Sequence, residues 1–267
     1  MNLKVYILYS GSGGNSAFIK MGESTILIDA GKSARALCTA INNIGEDIQN
    51  VDAIFVTHEH SDHVSALEII SKKYHIPIYM TEISARKFDS CPNAAIHSCL
   101  NRRGVDFCEQ IGSIRVSSFR TPHDSNMSVG YKICFEKDGK CISLGYATDI
   151  GYVSPEVREN LSGCDAVVLE SNHDVDMLWA GPYPQELKQR VASNGGHLSN
   201  AECAKLASEL ACSGTRAFML AHLSAENNEP DIAREAVSGA IYEYGARLFI
   251  ARPDEPVEFE LNFFEEK

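Results

Sequence analysis

Residues 58–63 read His58-Glu59-His60-Ser61-Asp62-His63. Three imidazoles and a carboxylate packed this closely are costly in a folded interior unless something compensates them. The run follows Asp52-Ala53-Ile54-Phe55-Val56-Thr57, an apolar stretch that reads as a short buried strand. A helix is expected after it, with Leu67, Ile70 and Tyr74 on its apolar face. Alternation lets His58 and His60 face one side of an extended segment. Asp62 and His63 come after the chain turns and address a second, nearby position. Imidazole nitrogens and carboxylate oxygens are the donors that suit Zn²⁺ and similar borderline ions. Ser61 or Asp62 also fits as the N-cap of the following helix, but a cap leaves three histidines unexplained.

The rest of the chain says what kind of fold carries this run. Residues 3–9 read as a strand, Ser10-Gly11-Ser12-Gly13-Gly14-Asn15 as a loop, and 16–20 with 25–28 as a hairpin turning near Gly22-Glu23. Residues 33–44 have a helical period through Leu37, Ala40, Ile41 and Ile44, closed by Gly45. Strand-like runs recur at 114–119, 129–135, 141–144, 165–170, 217–220 and 247–251, with helical segments at 199–210 and 228–243. This pattern predicts a mixed α/β layered fold with its chemistry on loops at strand ends. The glycine loop is no nucleotide fingerprint, because it lacks Lys-Ser/Thr and its spacing is wrong for a dinucleotide turn.

Composition narrows the partners. A formal net charge of -12 argues against broad phosphate binding by a basic surface, although bound divalent cations can meet phosphate directly. The basic clusters Lys72-Lys73 and Arg102-Arg103 read as solvated faces. The nine cysteines are scattered, with no C-x-x-C pair, and the N-terminus runs directly into a strand. A reduced, cytoplasmic protein is expected. No apolar run approaches the roughly 18 residues of a membrane span.

The H-x-H-x-D-H run between strand and helix resembles the signature of the metallo-β-lactamase superfamily. Five further segments resemble its YycJ (WalJ) branch: Ser10 to Asn15, Leu27-Ile28-Asp29-Ala30-Gly31, Ala147 to Tyr152, Leu169 to Asp174, and Gly196-His197-Leu198-Ser199-Asn200. The resemblance implies a four-layer αβ/βα sandwich, taken as a single domain over residues 1–267. It also implies a dinuclear site: His58, His60 and His123 on one divalent ion, Asp62, His63 and His222 on the other, and Asp149 bridging them. Asp29 would support the metal loop from behind. Zn²⁺ or Mn²⁺ is expected, and Fe²⁺ suits the same donors. Two such ions can share a hydroxide, a nucleophile at neutral pH, and neutralise a phosphodiester.

The activity implied is a 5′→3′ exonuclease acting on DNA. The alternative is a hydrolase of a small ester, thioester, lactone or cyclic phosphodiester, since one metal site serves many chemistries. Asp62, His197 and His173 are the candidate catalytic groups beside the metals. His197 also fits a plain helix start, with Ser199 as N-cap and Glu202 completing a capping box. For His173, a substrate role and a local structural role both stay open. His75 and His97 read as structural or surface residues. Trp179, Tyr183 and Pro184 line either a groove or a subunit contact, or belong to a packed surface helix. Nothing in the sequence points to a protein partner.

Overall fold

The computed structural model describes residues 2–137 and 140–262. Its strands are β1 (Asn2–Tyr9), β2 (Ser16–Met21), β3 (Ser24–Ile28), β4 (Ala53–Phe55), β5 (Ile78–Thr81), β6 (Leu100–Arg103), β7 (Cys108–Ile111), β8 (Ile114–Arg120), β9 (Val129–Lys137), β10 (Lys140–Ala147), β11 (Ala166–Glu170), β12 (Ala217–Ala221), β13 (Arg247–Ile250) and β14 (Val257–Asn262). The helices are α1 (Ala34–Asn43), α2 (Ser61–Val64), α3 (Leu67–Tyr74), α4 (Glu82–Ala85), α5 (Ala94–Cys99), α6 (Pro155–Leu161), α7 (Val175–Ala180), α8 (Gln185–Val191), α9 (Asn200–Cys212) and α10 (Pro230–Ile241).

The strands form two sheets, ordered β14-β1-β2-β3-β4-β5-β6 and β13-β12-β11-β10-β9-β8-β7. Three apolar clusters define four layers. The sheets face each other across Val5, Ile19, Phe55, Tyr131, Leu144 and Met219. The outer face of the first sheet is covered by α1, α3 and α5 through Leu37, Ile41, Leu67, Ile70 and Ile96. The outer face of the second is covered by α6, α9 and α10 through Val157, Leu206, Leu210 and Val237. This is the expected αβ/βα sandwich. β3, β4, β11 and β12 are buried at every residue, as strands covered on both faces require.

The helix ends follow the sequence signals. The Ser33 hydroxyl accepts from Ala36 N–H at the start of α1, and Ser199 accepts from Glu202 N–H at the start of α9. One expectation is refined. The metal run is not all loop: His60 is extended, while Asp62 and His63 lie within the single turn of α2. The strands β5, β6, β7 and β14 were not foreseen. β7 alternates exposed and half-buried residues at a sheet edge, and β14 pairs with β1 from the far end of the chain. Such strands take their stability from a distant partner and not from local pattern. Among the described residues no helix is long and apolar enough to cross a membrane.

Candidate metal centre

The first sheet contributes a hub built on Asp29, which follows β3 and is fully buried. Its Oδ1 accepts from Thr57 N–H at 2.8 Å. Its Oδ2 accepts from the Thr57 hydroxyl at 2.9 Å and from His63 Nδ1 at 2.8 Å. The Thr57 hydroxyl, its proton given to Asp29, accepts in turn from His58 Nδ1 at 3.0 Å. Both imidazoles thus spend Nδ1 on the hub and turn a lone pair on Nε2 the other way. Asn15 from the glycine loop braces the same corner. Its Nδ2 lies 3.0 Å from His63 Nε2 and 3.2 Å from Asp62 Oδ2, and its backbone N–H donates to Asp62 O at 2.8 Å.

The second sheet contributes ligands one at a time. His123 follows β8, and its Nδ1 donates to Gly196 O at 3.1 Å. Asp149 lies just past β10, and His222 follows β12 directly. The ends of the parallel strands β10, β11 and β12 therefore point to one place, where such sheets present functional groups. Glu170, the last residue of β11, ties them together. Its Oε1 accepts from His197 Nδ1 at 2.8 Å and His222 Nδ1 at 2.9 Å. Its Oε2 accepts from Ile150 N–H at 2.8 Å and Leu198 N–H at 3.1 Å. Asp29, Asp149 and His222 have left-handed backbone, with φ of 62°, 56° and 59°. For residues with a Cβ this is strained, and it recurs here at three residues of one site.

The two sets meet. Donor atoms of His58, His60 and His123 lie within 4.8 Å of one another, as do those of Asp62, His63 and His222, and those of His58, His63 and Asp149. Asp149 is central: Oδ2 is 3.5 Å from His63 Nε2, and Oδ1 is 3.5 Å from His222 Nε2 and 3.8 Å from His123 Nε2. All seven residues named from the sequence as metal ligands are thus brought together. His58 Nε2, His123 Nε2, His222 Nε2 and Asp149 Oδ2 are buried without a hydrogen-bond partner. Acceptors of this kind are stranded unless a cation meets them, so the donor set fits divalent metal. Burial, then the neighbouring imidazoles, hold His58 well below the usual histidine range, a neutral ring ready to ligate. Burial works against ionised Asp62, but His63 outweighs it and brings the carboxyl down to about 2.

The candidate catalytic histidines separate. His197 faces the centre, 3.8 Å from Asp149 Oδ1 through its Nδ1. Burial disfavours its charged form, and the Glu170 carboxylate overcomes this, raising it to about 9. His173 belongs to none of the donor groups. It is buried, its Nδ1 has no partner, and its backbone bridges Ser199. Of the residues read as structural, His75 ends α3 in left-handed conformation, and His97 Nε2 donates to Cys91 O.

Residues 24–223 match the model of the beta-lactamase superfamily domain. Exodeoxyribonuclease YycJ of Bacillus anthracis is 34% identical over 245 residues, covering 92% of this chain and 91% of that one. Exodeoxyribonuclease WalJ of Streptococcus pneumoniae is 32% identical over 235 residues, covering 87% and 86%. The chain belongs to the metallo-β-lactamase superfamily, in its YycJ/WalJ branch. Among solved structures, the metallo-β-lactamase fold protein YhfI of Bacillus subtilis superposes with a TM-score of 0.71 at 17% identity, covering 97% of this chain and 99% of that one. That likeness bears on the fold, which is the one this superfamily of hydrolases shares.

Four residues of the centre, Glu170, Asn15, Thr57 and Glu59, take roles that the sequence did not reveal. Glu59, inside the histidine run, accepts from Asn126 N–H at 2.7 Å through Oε1, while Lys87 Nζ donates to the Glu59 carbonyl at 2.6 Å. Glu59 thereby joins the His58–His60 loop to the loop carrying His123. Each sits inside a motif that was singled out, but its partners are remote in sequence. Only the burial of a carboxylate at the end of an apolar strand, as at Leu169-Glu170, was a signal available beforehand.

Proposed function

We propose that this protein degrades DNA from a strand end, as a 5′→3′ exonuclease that works with two divalent metal ions. The observation that carries this reading is Asp149, whose carboxylate lies between His63, His123 and His222 while their Nε2 atoms and its own Oδ2 converge. The names of the relatives in the branch support DNA as the substrate.

His58, His60 and His123 would hold one ion, and Asp62, His63 and His222 the other, with Asp149 between them. When bound, the two ions lower the pKa of water and stabilise charge developing on a phosphodiester. Mn²⁺ and Zn²⁺ are the ions to try first, with Fe²⁺ next. The protein's own part is orientation and proton handling. Asp29 and Glu170 fix the imidazoles by their Nδ1 atoms. Asp62, held ionised beside His63, keeps a second carboxylate at the centre. His197, held protonated by Glu170, presents a proton that the departing sugar oxygen requires. The backbone bridge between His173 and Ser199 ties the segment after β11 to the one that carries His197. All nine cysteines are free, which suits work in the cytoplasm.

The test is degradation of 5′-phosphorylated duplex DNA by purified protein with added Mn²⁺ or Zn²⁺. Loss of DNA that needs metal and disappears in His63→Ala is expected. No degradation by a folded, metal-loaded protein would overturn the nuclease reading and turn the search to small phosphodiesters and esters.

A further inference from the structure

The metal centre lies between two hollows of different shape. On one side His123 borders an open groove of about 500 Å³ with Arg120, Met127 and Tyr152. On the other, His197 and His222 border a smaller and more enclosed hollow of about 160 Å³. Its far wall is Tyr183, Leu187 and Arg190, from the α7–α8 crossover. We propose that the enclosed hollow is a subsite for the terminal 5′-phosphate monoester of a DNA strand, with the Arg190 guanidinium as its principal ligand, and that the open groove takes the body of the strand. This rests on the exonuclease reading above.

Arg190 is the only Lys or Arg among the described residues lining the hollow. Its Nε donates to Asp124 Oδ2 at 2.5 Å, and Asp124 Oδ1 lies 3.4 Å from His123 Nε2. The carboxylate therefore ties the guanidinium to the edge of the metal centre and sets its plane. One of five donors is used. The Nη groups have no protein partner among the described residues, and the side chain is 60% exposed. A guanidinium held in this way presents a fork that matches two oxygens of a phosphate. The Ser12 and Ser224 hydroxyls border the same space.

The wall is built, not draped. Lys188, buried on the inner side of α8, donates from Nζ to Trp179 O at 2.7 Å and locks α8 to α7. Asp174 caps α7 through Met177 N–H at 2.9 Å. Gly196 lies so close to the Arg190 and Val191 carbonyls that no Cβ fits. A preorganised wall across one side of the centre admits a chain end and stops a continuing chain. That geometry favours cleavage next to a terminus.

The experiment measures binding separately from turnover. Fluorescence anisotropy would follow the Mn²⁺-loaded protein on duplexes with nuclease-resistant phosphorothioate backbones, ending in 5′-phosphate, 5′-hydroxyl or 3′-phosphate. The wild type is expected to bind the 5′-phosphate end roughly tenfold or more tightly than the other two, and inorganic phosphate should compete. Arg190→Ala should abolish the difference and bind the 5′-hydroxyl duplex as the wild type does. Arg190→Lys, which keeps the charge without the fork, should restore part of it. Metal content and thermal unfolding would be checked for both variants. Equal binding of all three ends by the wild type overturns the subsite, as does a variant that weakens 5′-phosphate and 5′-hydroxyl ends equally. Degradation of unmodified duplex is scored alongside. End-selective binding without degradation keeps the subsite and removes the nuclease, and degradation without end selectivity does the reverse.

Discussion

Asp29 and Glu170 stand on opposite sides of the metal centre, each a fully buried carboxylate at the end of a central strand, and each holds imidazoles by Nδ1. They differ in how much they hold. Asp29 serves a local unit: Thr57 and His63, with His58 reached through the Thr57 hydroxyl. Glu170 serves four donors from three separate segments, at Ile150, at His197–Leu198 and at His222. Their ionisation follows the difference. Burial raises the Asp29 carboxyl above its usual range, since its partners offset desolvation only in part. Burial also opposes ionised Glu170, but His197 and His222 outweigh it and hold the carboxyl well below the ordinary range. A compact ligand run needs a light anchor. Ligands scattered along the chain need a carboxylate that is itself a junction.

Truncating the junction is the strongest way to sharpen this comparison. Glu170→Ala strands two imidazole N–H and two amide N–H groups, and should cost about 3–5 kcal/mol in thermal or urea unfolding. Asp29→Ala should cost less stability, and each should weaken metal binding roughly 10–100-fold by competition titration. If Asp29→Ala proves the costlier, the number of donors served is not what separates the two anchors. Chelation comes next. Stripping metal with EDTA should lower the unfolding free energy by about 2.7 kcal/mol for each ion removed, relative to protein with free metal at ~100 times its Kd. Calorimetry should show recovery on adding Mn²⁺ or Zn²⁺, and a smaller recovery in His63→Ala.

Two glycines test the backbone seams behind each anchor. A Cβ on Gly31 would overlap the Asp62 carbonyl, and one on Gly196 would overlap the carbonyls of Arg190 and Val191. Gly31→Ala and Gly196→Ala should each cost about 1–3 kcal/mol. The first should reduce metal occupancy through Asp62 and His63, and the second should act through His123, which donates to Gly196 O. Equal loss of both metal equivalents in both variants would show the centre to be one cooperative unit and erase the distinction between its halves. The smallest effect is expected at Ser33→Ala, an exposed cap whose hydroxyl bonds Ala36 N–H and neither anchor. It should cost about 1 kcal/mol and leave metal content and DNA degradation unchanged.

The sequence was most readable where structure is local. The run from His58 to His63, the glycine loop and the cap at Ser199 could be placed, because their partners lie within a few residues or their residue types admit few roles. His123, Asp149 and His222 were placed only by resemblance, since a single histidine or aspartate after an apolar strand has several ordinary uses. Glu170 shows no role in the sequence although it ends an apolar strand, because its partners lie 27 and 52 residues further on.

By itself the sequence determined the chemistry of the donors, the strand-to-helix frame of the histidine run and the layered α/β class, because residue type and hydrophobic period act over short range. Only the tertiary structure decided which nitrogen of each imidazole is spent on a carboxylate or a carbonyl, and which is left facing its neighbours. It also decided that Arg190 closes one side of the centre. Those arrangements depend on two sheets facing each other, and the packing that brings the end of β3 opposite the ends of β10, β11 and β12 couples residues more than a hundred positions apart.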